Sequence, residues 1–143
     1  MANIRSGQRG SFPPLLHLTY VLQHLSDELL SSKVGIGLSQ ARIMSVLSPD
    51  SAMSQRAAAF YLNQTEANIS RQLKAMKQAG LVKITKNKQD GRRRDVILTS
   101  KGQSRYDKAL KILKKQQSEF MKLLNQGEAE MLDYAVQKLS KRL

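Results

Sequence analysis

The apolar positions at the start of the chain follow a helical repeat. Leu15, Leu18, Leu22, Leu25 and Leu29 recur at spacings of 3, 4, 3 and 4, which puts them on one stripe of a helix. Pro13-Pro14 suits its first turn, and Val34-Gly35-Ile36-Gly37 ends it. Leu16, Val21 and Leu30 widen the stripe beyond what a lone surface helix needs, so two neighbours or a second subunit are expected against it. Ser39 reads as the N-cap of a short helix with Ala41, Ile43, Met44 and Leu47 inside, stopped by Ser48-Pro49-Asp50. Ser54 reads as a second cap, before a helix from Gln55 to Tyr61. After a break at Leu62-Asn63-Gln64-Thr65, the buried series Ile69, Leu73, Met76 predicts an amphipathic helix from Glu66 to Ala79. Gly80 closes it.

Beyond Gly80 the period changes. Leu81 to Lys86 and Arg94 to Leu98 alternate as strands do, and the polar Asn87 to Arg93 between them, with Asp90-Gly91, makes a hairpin tip. Thr99 then caps a long helix to about Leu124, with Tyr106, Ala109, Leu110, Leu113, Phe120 and Leu124 inward. Asn125-Gln126-Gly127 turns the chain into a last helix whose apolar side is Met131, Leu132, Ala135, Val136, Leu139 and Leu143. The polar residues 1–11 read as a mobile tail. The fold class is mainly α with a small β-hairpin wing: a winged helix-turn-helix with flanking helices.

Composition narrows the chemistry. The chain has 143 residues, 24 Lys and Arg against 11 Asp and Glu, and a net charge of +13. One domain is expected. The excess is concentrated: residues 54–115 carry 16 basic and 4 acidic side chains, whereas residues 116–143 balance at 4 and 4. A positive face of that density attracts a polyanion, with double-stranded DNA ahead of a membrane surface. The membrane reading would want a basic amphipathic helix with exposed apolar side chains, and much of the charge falls instead on the hairpin. Cysteine is absent, which excludes disulfides, thiolate metal sites and thiol-based redox sensing. No cofactor and no metal are expected. The longest apolar run, Ala57 to Leu62, is far below a membrane span, and with no apolar leader a cytoplasmic protein is expected.

Two short helices joined by a tight turn and followed by a basic hairpin form a DNA-reading unit whose second helix is the reader. On its solvent side lie Thr65, Asn68, Ser70, Arg71 and Lys74. Arginine pairs bidentately with guanine and asparagine with adenine, while hydroxyls and lysine suit phosphate. At the hairpin, Arg92, Arg93 and Arg94 adjoin Asp90-Gly91, and arginine is favoured in a narrow minor groove. Asp90, two residues before Arg92, is expected to hold that guanidinium in one rotamer.

These stretches resemble the MarR family of bacterial transcriptional regulators. AAAFYLNQTEANISRQLKAMKQAGLV is similar to its helix-turn-helix, and Asp90, Arg92, Leu98, Thr99 and Gly102 fit its D-x-R…L-T-x-x-G wing. The resemblance implies one MarR-like domain over 1–143, with a DNA-binding core at 38–102 and dimerisation helices at 12–34 and 103–143. It further implies that Asn68, Ser70 and Arg71 meet the major groove and that Arg92 enters the minor groove. Asn68 departs from the family, where Thr is common. The function implied is a homodimeric, sequence-specific regulator of repressor type on a pseudo-palindromic operator. A non-specific architectural DNA binder is the alternative.

Many MarR-like proteins bind small aromatic anions, and Tyr20, His24 and Arg42 could line such a site. His17 and His24, seven residues apart, share one side of the first helix. Structural histidines beside a leucine stripe are commoner than sensing ones. An enzyme is disfavoured, since no nucleophile elbow, carboxylate pair, phosphate loop or metal cluster is present.

Overall fold

The computed structural model describes residues 12–143, so the expected tail at 1–11 lies outside the described residues. Nine elements follow in order: α1 (Pro14–Val34), α2 (Leu38–Met44), β1 (Met53–Ser54), α3 (Gln55–Leu62), α4 (Glu66–Gln78), β2 (Val82–Lys86), β3 (Arg94–Leu98), α5 (Ser100–Met121) and α6 (Gln126–Ser140). This is the winged helix-turn-helix with flanking helices that the periodicity predicts.

Side-chain caps fix the helix starts. Ser54, Thr65, Thr99 and Asn125 each accept the backbone N–H three residues on, an arrangement worth about 1 kcal/mol apiece. Ser39 is not such a cap. Gly37 holds that position, and the first turn of α2 is tied down from elsewhere: Asp27 Oδ1 accepts the Leu38 N–H at 2.7 Å. Gln126 and Gly127 likewise lie inside α6 behind the Asn125 cap, because the Asn125–Glu128 reciprocal bonds at 2.9 Å start the helix earlier than the glycine suggests.

Three helix ends take the left-handed region: Gly35 does so after α1 at φ +67°, and the ends of α4 and α3 share one pattern of bonds. After α4, Gly80 has φ +75°, with Gly80 N–H on Lys77 O and Leu81 N–H on Met76 O. The same pair of bonds ends α3, but there Asn63 takes φ +52°. Both are the paired-bond C-terminal motif that satisfies carbonyls a helix leaves open.

The sheet has the order β1-β3-β2, antiparallel throughout. Val82 pairs with Leu98 and Ile84 with Val96, so the inward side chains of β2 and β3 sit opposite one another on one face. The two-residue β1, which periodicity missed, pairs Met53 with Val96.

The core gathers Leu30, Ile43, Met44, Ala58, Ile69, Leu73, Met76, Leu81, Val96 and Ala109 from α1 through α5. Only the C-terminal half of the α1 stripe is covered by its own chain. Leu30 is fully buried, whereas Leu15, Leu16 and Leu18 are exposed. α6 buries none of its residues, and Met131, Leu132, Tyr134, Val136 and Leu139 face outward.

The base of the wing is locked at one point. Thr99 Oγ1 accepts the Gly102 N–H at 3.0 Å and donates to Gly80 O at 2.7 Å, joining the end of α4 to the start of α5. Gly102 sits so close to the chain that a Cβ there would lie 2.1 Å from Leu81 O. The L-T-x-x-G pattern is therefore a packing device.

Candidate nucleic-acid interface

α4 buries Ile69, Leu73 and Met76, packs against β2, and leaves Ser70, Arg71 and Lys74 exposed on the opposite side. Burial of these three side chains, worth about 1.5–3 kcal/mol each, fixes which face remains for a ligand. Thr65 is exposed at the N-terminus, where its hydroxyl oxygen caps Asn68 N–H at 3.2 Å; its own O–H is left for a phosphate.

Asn68 differs from its neighbours. It is half-buried on the flank facing the turn, where its Nδ2 donates to Gln64 Oε1 at 2.7 Å and its Oδ1 accepts Arg71 Nη2 at 3.0 Å. Gln72 Nε2 also donates to Gln64 Oε1, at 3.4 Å, and Ser39 Oγ donates to Gln72 Oε1 at 2.5 Å. The sequence reading missed Gln64, Gln72 and Ser39 at this site. The four-residue spacing of Gln64, Asn68 and Gln72 was visible, but which amide meets which is a matter of geometry.

The wing tip is organised by Asn87. Its Oδ1 accepts the N–H groups of Gln89 and Asp90 at 2.8 and 3.0 Å, and its Nδ2 donates to Asp95 Oδ2 at 2.7 Å. Asp90 does brace Arg92, but by its backbone: Asp90 Oδ1 accepts the Arg92 N–H at 3.0 Å. The expected grip on the guanidinium is absent, because a carboxylate two residues upstream in a tight turn meets the nearer main-chain donor first. Gly91 does not adopt positive φ; the turn is closed by Arg93 N–H on Asp90 O at 3.0 Å.

The three arginines separate by their partners. Arg93 Nε donates to Asp95 Oδ1 at 2.8 Å, and Arg94 Nη1 donates to Gly91 O at 3.0 Å. Among the described residues the Arg92 guanidinium has no hydrogen-bond or ion-pair partner, which leaves all its donors for a ligand. The amide of Asn87 and the guanidinium of Arg93 hold the Asp95 carboxyl below the usual carboxylate range.

Not all of the charge in residues 54–115 belongs to this surface. Lys101, Arg105, Lys108, Lys111, Lys114 and Lys115 lie on α5, and the first two serve the fold: Lys101 Nζ donates to Ala79 O at 2.9 Å and Arg105 Nη1 to Val34 O at 2.7 Å.

The candidate ligand residues come together only in part. Tyr20 and His24 stack with parallel rings 6.3 Å apart on α1, and His24 Nε2 lies 3.4 Å from Glu28 Oε1. Arg42 is exposed on α2 and bonds to neither. A groove of about 750 Å³ does exist, between α1 and α5, with Leu25, Leu29, Ile112 and Phe120 as walls and Lys33 and Lys115 beside them. None of the three expected residues lines it. Among the described residues no cluster of acids and histidines could hold a metal ion, and no helix is long and apolar enough to cross a membrane.

With this geometry in place, the comparisons with known proteins agree on one class. Residues 40–116 match the model of the winged helix DNA-binding domain, and the chain belongs to that family. Its fold over nine-tenths of its length is the MarR fold. A crystal structure of MarR superposes with a TM-score of 0.81 at 14% identity, covering 91% of this chain and 97% of that one. The S. aureus MepR–DNA complex gives 0.75 at 18% identity, covering 90% and 94%. A mutant MarR from E. coli complexed with operator DNA gives 0.71 at 21% identity, covering 88% and 93%. No curated protein matches the chain by sequence.

Proposed function

We propose that the protein is a sequence-specific transcriptional regulator of repressor type. It acts as a homodimer on a pseudo-palindromic operator, with α4 in the major groove and the wing in the minor groove. The observation that carries this reading is the uncommitted Arg92 guanidinium at the wing tip, on the same core as an α4 whose outer face offers Ser70, Arg71 and Lys74. A reader of base edges with a second, electrostatic contact needs both. In this reading Thr65, Lys74, Arg93 and Arg94 contact phosphate, and two half-sites lie about one helical turn apart. That S. aureus MepR and E. coli MarR are crystallised with DNA supports the same assignment.

The homodimer is supported by the apolar side chains that the chain leaves uncovered, on the first half of α1 and along α6. Exposed apolar side chains in such number call for a partner. Release by a small aromatic or anionic ligand belongs to the same reading. The α1–α5 groove offers apolar walls for the aromatic part, and in its lining Lys33 and Lys115 are matched by Glu28 and Glu119.

Selection of bound duplexes from a random pool, followed by competition between the selected duplex and a scrambled one, tests the proposal. A selected palindrome preferred by at least a hundredfold at physiological salt is expected. Equal affinity for both duplexes would instead make the protein an architectural DNA binder. Sedimentation at micromolar concentration should give a dimer, and a monomer would remove the two-fold operator from the proposal.

A further inference from the structure

We infer that Gln64 is a specificity-determining residue: through Asn68 it positions the Arg71 guanidinium for base reading, and Asn68 serves as a strut and not as a base reader. This rests on the proposed reading of DNA by α4.

The donors and acceptors leave one consistent arrangement. A guanidinium only donates, so Asn68 must turn its Oδ1 towards Arg71. Its Nδ2 is then committed to the other side, where it meets Gln64 Oε1 at 2.7 Å. Gln64 must therefore present oxygen, and the same oxygen takes Gln72 Nε2 at 3.4 Å. Gln72 is left with its own oxygen free, which accepts the Ser39 hydroxyl of α2. Two donor series, one from Ser39 of α2 and one from the exposed arginine, thus converge on the Gln64 oxygen in the turn.

The position of Gln64 gives this series its leverage. It follows Asn63, whose positive φ ends α3, and precedes the Thr65 cap of α4. The backbone on either side is thus fixed by hydrogen bonds, and the side chain is half-buried. Asn68 and Gln72 stand four residues apart on one flank of α4, with Gln64 against both just before the cap, while Arg71 reaches out from the solvent face. A long exposed arginine ordinarily loses rotamer freedom on binding; a strut made in the free protein removes part of that loss. Arg71 spends one of its five N–H groups on Asn68, and two of the rest suffice for guanine O6 and N7. A bidentate adenine contact by Asn68 would need the oxygen and nitrogen that already face Arg71 and Gln64.

The test uses the full-length protein and the selected duplex, substituted one base pair at a time, at fixed salt. Wild type should lose about tenfold or more at a guanine step, and Arg71→Ala should abolish that loss. Gln64→Leu and Asn68→Ala should each reduce it to about threefold or less at the same step, with the other steps and the affinity for scrambled duplex unchanged. Gln64→Glu keeps an acceptor for both amides and should restore the discrimination. Thermal unfolding identifies any variant that does not fold; if Gln64→Leu is one, Asn68→Ala and Gln64→Glu decide. Full discrimination by Gln64→Leu or by Asn68→Ala overturns the inference. So does a preference lost in Asn68→Ala at an adenine step that Arg71→Ala leaves intact. Retention of every preference by Arg71→Ala removes the α4 reading itself, a result that the panel separates from failure of the strut alone.

Discussion

Arg105 on α5 donates from Nη1 to the carbonyl oxygen of Val34, the last residue of α1, at 2.7 Å. Seventy-one positions separate the two in the chain. The bond satisfies a carbonyl that the end of a helix leaves open, and it sets a cation at the negative end of the α1 dipole. Arg105→Met keeps the apolar stem and removes both effects. Urea unfolding should show a loss of about 1–2 kcal/mol, and an unchanged midpoint would mean that water replaces the guanidinium without cost.

Gly102→Ala should destabilise the protein although alanine is the better helix former by about 1 kcal/mol. The added Cβ would meet Leu81 O at 2.1 Å and Leu98 Cδ1 at 2.7 Å. A backbone oxygen cannot move aside as a flexible side chain can, so a net loss of about 1–3 kcal/mol is expected. A thermal midpoint equal to or above that of wild type would contradict the close approach.

Asp90 offers a comparison in which charge and geometry disagree. Asp90→Asn keeps an oxygen for the Arg92 N–H and removes a negative charge, so operator binding should tighten or hold. Asp90→Ala removes the same charge together with the turn, and binding should weaken by about threefold or more relative to Asp90→Asn. Equal affinities would reduce the wing to a basic patch whose order is irrelevant.

Of the three wing arginines, Arg92→Ala should weaken operator binding most, because Arg93 and Arg94 already hold Asp95 and Gly91 O. Affinities of the three alanine variants on one duplex at one salt concentration give the ranking. A larger loss for Arg93 or Arg94 would mean that those bonds break on DNA.

Asp95 carries a pH dependence of definite sign. Its carboxyl is held low by Asn87 and Arg93, so its contribution to wing order is complete above the unfolded value, about 4. That contribution fades as pH falls through the lower folded value. Carboxyl titration by NMR should place Asp95 below an ordinary aspartate, and Arg93→Ala should move it up. A wild-type midpoint in the ordinary range would contradict the pairing.

Periodic elements were legible in the sequence because their burial repeats. Ile69, Leu73 and Met76 define α4, and the alternation on either side of Asn87–Arg93 defines the wing register. What escaped were features with no period. Met53 and Ser54 form a strand only because β3 lies beside them. Ser39 has the chemistry of a cap, but Gly37 takes that position and Ser39 Oγ goes to Gln72. The candidate site was legible as a set of residue types. The commitment of Asn68 to its neighbours was not, since it depends on the rotamers of three side chains.

α5 runs 22 residues from the base of the wing to the turn before α6, a rod of about 33 Å at 1.5 Å per residue. Past Gly102 it contains neither glycine nor proline, so nothing in it favours a kink. One end is set against Leu81 and Gly80; the other adjoins the helix that the chain leaves bare. Such a rod works as a lever. A tilt of about 6° at the bare end displaces the wing end by roughly 3.4 Å, the rise of one base pair along a strand. In the proposed homodimer, a change too small to disturb any helix would thus be enough to put the two reading heads out of step with the grooves.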